Sequence, residues 1–171
     1  TQLGLDGGWV ISSRPRVAAL SALLSVAGPC RFHSARIGRV LGGQQAERRE
    51  SGLQRVSTLM EDLAAIKGAR ILVVEDNELN SQLLRELLTH VGVRVESAGN
   101  GREALSLLAG QPFDAVLMDV QMPEMDGLEA VRLLRQDPRH LHLPVIAVTA
   151  NTLVGDRERC LAAGMDDYIT K

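Results

Sequence analysis

Two periods of hydrophobic and polar positions alternate along the second half of the chain. Ile71-Leu72-Val73-Val74 is a continuous apolar run of strand length, the pattern of a strand covered on both faces. Leu79, Leu83, Leu84, Leu87, Leu88 and Val91 then recur at helical spacing, with Glu75-Asp76-Asn77 able to cap the start and Gly92 closing the end. Val93 to Ala98 alternates as an edge strand with Arg94 and Glu96 facing out. A second helix is predicted from Asn100-Gly101 to about Ala109, ended by Gly110. Ala115-Val116-Leu117-Met118 is the third strand and ends at Asp119. A loop with Pro123 and Gly127 leads into a helix carrying Leu128, Val131 and Leu134, which Asp137-Pro138 breaks. Leu143 to Val148 is the fourth strand, ending at Thr149; Leu153 to Ala163 is the fourth helix, stopped by Gly164; Tyr168 to Lys171 begins a fifth strand.

Strands alternating with helices imply βαβ units and a parallel sheet, hence an α/β domain. Residues 1–67 carry no such pattern. Trp9-Val10-Ile11 has strand character, Val17 to Val26 is Ala/Leu-rich and helical in character, and Gly42 to Glu50 is linker-like. Leu53, Val56, Met60, Leu63 and Ile66 are spaced as one face of an amphipathic helix over Gly52–Ile66. The chain therefore divides into an N-terminal helical and linker appendage, 1–67, and an α/β domain, 68–171.

Charge follows the same division. Residues 1–67 hold nine Lys/Arg against five Asp/Glu, and residues 68–171 hold ten against sixteen. An acidic α/β domain suits a cation site better than a nucleic-acid site, and aromatic residues at 2% leave no stacking platform for bases. No apolar run approaches the length of a membrane span, so no membrane contact is expected of this segment. The N-terminus lacks Met and a basic leader and reads as a cut within a longer chain. Cys30 and Cys160 lie far apart and outside any CxxC, as free thiols of a reducing compartment do.

Ligands of parallel α/β sheets bind beyond the carboxyl ends of the strands. Four strands end there in Glu75-Asp76, Asp119, Thr149 and Lys171. Three convergent carboxylates repel one another, and a hard divalent cation completed by water, Mg²⁺, relieves that repulsion. Asp119 is then the candidate nucleophile, because carboxylates form acyl phosphates. Lys171 offers a point charge and Thr149 a hydroxyl to phosphoryl oxygens, and Ala150 leaves room for the group. Taken singly, Asp76 and Thr149 are also ordinary helix caps, Asp119 a loop residue and Lys171 a surface lysine; four such coincidences at successive strand ends favour the site. Asp126, Asp166 and Asp167 read as structural or solvated. The four histidines show no ligand spacing, and Met118, Met122 and Met125 read as packing.

Four segments carry a resemblance: Ile71-Leu-Val-Val-Glu-Asp-Asn77, Val116-Leu-Met-Asp-Val-Gln-Met-Pro-Glu-Met-Asp-Gly127, Val145-Ile-Ala-Val-Thr-Ala150 and Gly164-Met-Asp-Asp-Tyr-Ile-Thr-Lys171. In this order and spacing they strongly resemble the response-regulator receiver domains of two-component signalling, over about residues 69–171. The resemblance implies a flavodoxin-like, doubly wound, five-stranded parallel sheet in the order 2-1-3-4-5. It implies that Asp119 is the phosphorylation site and that Asp76, Asp119 and the backbone carbonyl of Gln121 bind Mg²⁺, with Glu75 acting through the metal's water shell. It further implies that Thr149 and Lys171 contact the phosphoryl group, and that Tyr168 is the switch aromatic that turns inward as Thr149 moves. The expected partner is a histidine kinase or histidine phosphotransfer domain, in the cytoplasm. Asn77-Glu-Leu-Asn80 and the Asp156–Asp167 stretch are most similar to receivers of hybrid sensor histidine kinases, some of which carry a degenerate receiver-like domain upstream, whose tail residues 1–42 would be.

The resemblance also departs from the family pattern. Family members continue beyond the position of Lys171 with Pro and a fifth helix that covers one face of the sheet. The expectation is that the Gly52–Ile66 helix, or a second chain, covers that face here. A phosphorylation-incompetent binding module in receiver form is the alternative function. A haloacid-dehalogenase-type phosphatase needs a second Asp where Gln121 stands, and a flavodoxin-type FMN site needs a phosphate loop where Glu75-Asp76 would repel the phosphate.

Overall fold

Period-two burial is what turns the apolar runs into one central sheet. The computed structural model describes residues 19–21, 23, 24, 33, 34, 64, 66–150 and 155–171. Its parallel strands are β1 (Arg70–Val74), β2 (Arg94–Ala98), β3 (Ala115–Met118), β4 (Val145–Thr149) and β5 (Asp167–Thr170). They lie in the order β2-β1-β3-β4-β5, and a two-residue strand, His33–Ser34, runs antiparallel along the outer edge of β5. The helices are α1 (Glu78–His90), α2 (Gly101–Gly110), α3 (Gly127–Leu134) and α4 (Asp156–Ala163), with a 3₁₀ turn at Pro138–His140.

Successive side chains of a strand point to opposite faces, and two separate cores result. Ile71 and Val73 of β1, with Leu117, Ile146, Val148 and Ile169, face Leu84 and Leu88 of α1. Leu72 and Val74, with Val116, Met118 and Ala147, face the layer of α2, α3 and α4. The runs of β1, β3 and β4 are buried throughout because helices cover both sides. Among the described residues β2 pairs with β1 alone, so it keeps the predicted edge character, with Arg94 exposed.

The α1 face holds a layer that the sequence pattern did not assign. Residues 19–21, 23 and 24 are helical, and Ala19, Leu20, Leu23 and Leu24 are buried in the same cluster as Ile146, Val148 and Ile169. Ile66 joins this cluster, but most of the predicted Gly52–Ile66 helix lies outside the described residues, as do the Trp9–Ile11 strand, the Gly42–Glu50 linker and Cys30. Among the described residues, Ala19, Leu20, Leu23 and Leu24 thus add to the cover beside α1, together with Ile66 at the end of the expected Gly52–Ile66 helix.

Smaller differences have local causes. Gly110 is the last residue of α2 rather than its stop, and Gln111 ends the helix by returning to extended backbone. α3 ends at Leu134 and Arg135, ahead of Asp137-Pro138; Asp137 instead caps the 3₁₀ turn, accepting from the Arg139 amide at 2.9 Å. β4 begins at Val145, since Leu143 is held in the preceding turn, donating its amide to the His140 carbonyl at 3.2 Å and accepting from Arg135.

Arg135 ties four segments together. Its Nε donates to the Gly164 carbonyl at 2.9 Å, its Nη1 to the carbonyls of His140 at 2.6 Å and Leu143 at 2.8 Å, and its Nη2 to Asp166 at 3.0 Å. Burial holds this guanidinium below its ordinary pKa, against the opposing pull of Asp166. Removing the head group strands the Gly164 and Leu143 carbonyls, while the His140 carbonyl keeps the Leu143 amide. Arg135→Ala is expected to lower unfolding stability by about 2–3 kcal/mol, read as a fall in urea midpoint at unchanged m-value.

Candidate active site

The register of the sheet sets the site. Val74 and Met118 are paired across β1 and β3, so the residues that follow them, Glu75 and Asp119, emerge side by side. The Asp119 amide donates to the Val74 carbonyl at 2.8 Å, and the Glu75 amide to the Ala98 carbonyl at 3.0 Å. Thr149 and Thr170 are paired across β4 and β5, and the Lys171 amide donates to the Thr149 carbonyl at 2.8 Å. The polar ends of four strands thus meet at one rim.

Glu75 and Asp119 are buried there and Asp76 is exposed, and carboxylate oxygens of all three lie within 4.8 Å of one another. The Lys171 ammonium donates to both Glu75 Oε2 and Asp119 Oδ2. Asn80 Nδ2 donates to the other Glu75 oxygen, Oε1, at 2.8 Å. Burial raises the Glu75 pKa above its ordinary value and Asp119's charge adds to the rise, while Lys171 and Asn80 oppose it. Three carboxylates against one ammonium leave an excess of negative charge in a largely buried setting. Hard oxygen donors in such a set fit a small divalent cation.

The capping alternatives for two of these residues fall away. Asn77, not Asp76, is the N-cap of α1, accepting from the Asn80 amide at 3.2 Å. Gly155 is the N-cap of α4, so Thr149 is not. Thr149 is buried at the end of β4. It lines an open cavity of about 460 Å³ together with Asp76, Gln121, Cys160 and Tyr168. Tyr168 is buried, and its hydroxyl pKa is pushed up by burial, with smaller contributions from Asp156 and Cys160. The Gln121 amide donates to Asp119 Oδ1 at 3.1 Å. Asp126 caps α3, accepting from the Glu129 amide at 2.7 Å. Among the described residues no His or Cys joins a metal-competent group.

Three residues matter more here than the sequence pattern indicated. Asn80 orients Glu75 from the first turn of α1. Gly127 sits against Asp119: a Cβ at Gly127 would lie 2.1 Å from the Asp119 carbonyl oxygen. Asp167, read as structural or solvated, is only 2% exposed; it accepts from Ser21 Oγ at 2.8 Å and from the Tyr168 amide at 2.9 Å. Its burial excludes the solvated reading.

Residues 71–171 match the family described as the response regulator receiver domain. The sensor histidine kinase GacS of Pseudomonas protegens is 40% identical over 114 residues, covering 65% of this chain and 12% of that protein. The polar-differentiation response regulator DivK of Brucella anthropi is 45% identical over 101 residues, covering 59% of this chain and 82% of that protein. Among solved structures, the receiver domain of the sensor histidine kinase PA1611 from Pseudomonas aeruginosa has a magnesium ion coordinated in its active-site cleft. It is similar at a TM-score of 0.58 and 43% identity, over 61% of this chain and 85% of that one. The chain thus spans about an eighth of the GacS kinase but most of a stand-alone receiver. A doubly wound parallel sheet with an acidic rim, matched across 71–171, identifies the chain as a member of the response regulator receiver domain family of two-component signalling.

Proposed function

We propose that this receiver accepts a phosphoryl group on Asp119 from a phosphohistidine, borne by a histidine kinase or a histidine phosphotransfer domain. The observation that carries the reading is the meeting of Lys171 with Glu75 and Asp119, beside Asp76, at the ends of aligned strands. A carboxylate oxygen of Asp119 attacks phosphorus, the new P–O bond forms as the P–N bond breaks, and the electron pair leaves with the imidazole, which takes up a proton. Lys171 faces the attacked carboxylate and offsets charge on the phosphoryl oxygens. The Thr149 hydroxyl donates to one of those oxygens, and its movement toward the group opens space for Tyr168 along the cavity they share. The Gln121 amide holds Asp119 Oδ1 and so fixes the direction of attack.

Asp76, Asp119 and the backbone carbonyl of Gln121 are the groups that would hold Mg²⁺, with Glu75 reached through water. When bound, the ion supplies neutralisation of the charge that develops on transfer. We place the chain within a hybrid sensor histidine kinase, with the receiver facing the cytoplasm. No helix among the described residues is long and apolar enough to cross a membrane.

Incubation with acetyl phosphate and Mg²⁺, followed by intact-mass measurement, tests the reading. One added phosphoryl group is expected, and none when EDTA replaces Mg²⁺. A folded sample that gains nothing would make the domain a binding module in receiver form.

A further inference from the structure

We propose that the described residues of the N-terminal segment, 19–21, 23, 24, 33 and 34, clamp β5 and thereby position Lys171 for phosphoryl transfer. The proposal rests on the role given to Lys171 above. It goes beyond the family match, which begins at residue 71.

The contacts come from both sides of β5. On its outer edge the short strand pairs in antiparallel register, His33 with Thr170 and Ser34 with Ile169. Thr170 is the residue immediately before Lys171. On its α1-side face, the helical residues Ala19, Leu20, Leu23 and Leu24 are buried at 0–7% exposure in the cluster that contains Ile169. Ser21 adds a directional contact at the strand's other end, donating to Asp167 Oδ2 at 2.8 Å. Both partners of that bond are buried, Ser21 at 4% and Asp167 at 2% exposure. The segment therefore grips the first and last residues of β5.

The site needs that grip because β5 is only four residues long. Paired on one edge alone, so short a strand opens at its end at little cost. Lys171, one residue beyond it, must hold its ammonium against carboxylates at the ends of β1 and β3, elements distant in sequence. The backbone bond from Lys171 to Thr149 supplies the inner restraint. The His33–Ser34 strand supplies the outer one. A displacement of about 1 Å in a group that stabilises transfer costs up to about 100-fold in rate.

The test compares wild type, His33→Pro, His33→Val and Lys171→Gln in the full chain. The Lys171 amide faces β4, so Thr170 turns its backbone amide and carbonyl to the outer edge and His33–Thr170 is the hydrogen-bonded pair. Proline at position 33 removes that pair's donor, whereas valine suits a strand. His33→Pro is expected to lower amide-exchange protection of residues 169–171 by about tenfold or more, and to slow phosphorylation by acetyl phosphate by about tenfold or more. Lys171→Gln should slow phosphorylation at least as much, and His33→Val should behave as wild type. Mg²⁺ affinity should not weaken in His33→Pro or Lys171→Gln, because the carboxylates stand at the ends of β1 and β3. Unchanged protection and rate in His33→Pro would overturn the clamp. So would a loss of Mg²⁺ affinity in parallel with rate, since the whole rim would then have been disturbed. If His33→Pro does not fold, Ser21→Ala decides: the same pattern at a few-fold size is expected, and wild-type protection of 167–171 overturns the proposal. If wild type itself takes up no phosphoryl group, the reading of the function fails, while the exchange comparison still decides the clamp.

Discussion

Asp119→Asn takes up no phosphoryl group from acetyl phosphate. The substitution is nearly isosteric, so Oδ1 still accepts from the Gln121 amide and the backbone bond to Val74 stays in place. What changes is chemistry: an amide oxygen is a poor nucleophile, and the acyl phosphate has no carboxylate on which to form. The change also removes one of the three negative charges at the rim. Mg²⁺ should accordingly bind about tenfold or more weakly, and the rise in Tm that Mg²⁺ produces should shrink with it. Intact mass reads the first effect and a thermal-shift titration the second. Phosphoryl uptake that survives in the variant would move the acceptor elsewhere, with the exposed Asp76 the first residue to examine.

Gly127→Ala is expected to damage fold and chemistry together. Gly127 has no need of a left-handed backbone; what it needs is space. A methyl group would lie 2.1 Å from the Asp119 carbonyl oxygen and 3.0 Å from Met118 Cγ. The Asp119 carbonyl cannot swing aside cheaply, because its own amide is tied to Val74, and Gly127's amide is tied to Val120 at 3.0 Å. Relief must come from shifting either α3 or Asp119, the proposed acceptor. Stability should fall by about 1–3 kcal/mol, and phosphorylation should slow by up to about 100-fold if the shift falls on Asp119. Urea unfolding and the acetyl-phosphate rate measure the two. Gly110→Ala is the matched control: it sits in helical backbone, and nothing lies within 4 Å of the place its methyl group would take. It should stabilise by about 0.5–1 kcal/mol. Equal behaviour of the two variants would mean that the Asp119–Gly127 approach is not a constraint.

The legibility of this chain depended on whether a residue's role was local. β1, β3 and β4 declared themselves because unbroken apolar runs have few uses other than a strand covered on both faces, and β2 because it alternates as an edge strand does. The rim followed, because parallel strands deliver their last residues to one side. Asn77 as a cap, and Gly92 and Gly164 at helix ends, are decided within a few residues of chain. What stayed hidden was set by distant partners. The Ala/Leu-rich stretch around residues 17–26 announced a helix, but no period tells which face of which sheet it will cover. Asp167 could not be told apart as structural or solvated because Ser21, the residue that lets it be buried, lies 146 positions away. Gly127 looked like a turn residue, whereas its demand for space comes from Asp119. Asn80 stands only five positions from Glu75, yet their bond needs the strand-to-helix turn to be in place first.

Of the helices, α4 is the least committed to its place. It buries only Cys160 and Ala163, and it begins at Gly155 without a side-chain cap. α3 buries five residues, among them Leu128, Val131 and Leu134, and is capped by Asp126. Each large aliphatic side chain so buried contributes about 1.5–3 kcal/mol, which puts the cost of dislodging α3 several-fold above that for α4. Tyr168 and Thr149 line the cavity on the side where Cys160 of α4 stands. The helix with the least buried anchorage of α1–α4 therefore borders the cavity shared by Asp76, Thr149 and Tyr168, where a chemical event at the proposed acceptor would be felt at the lowest packing cost.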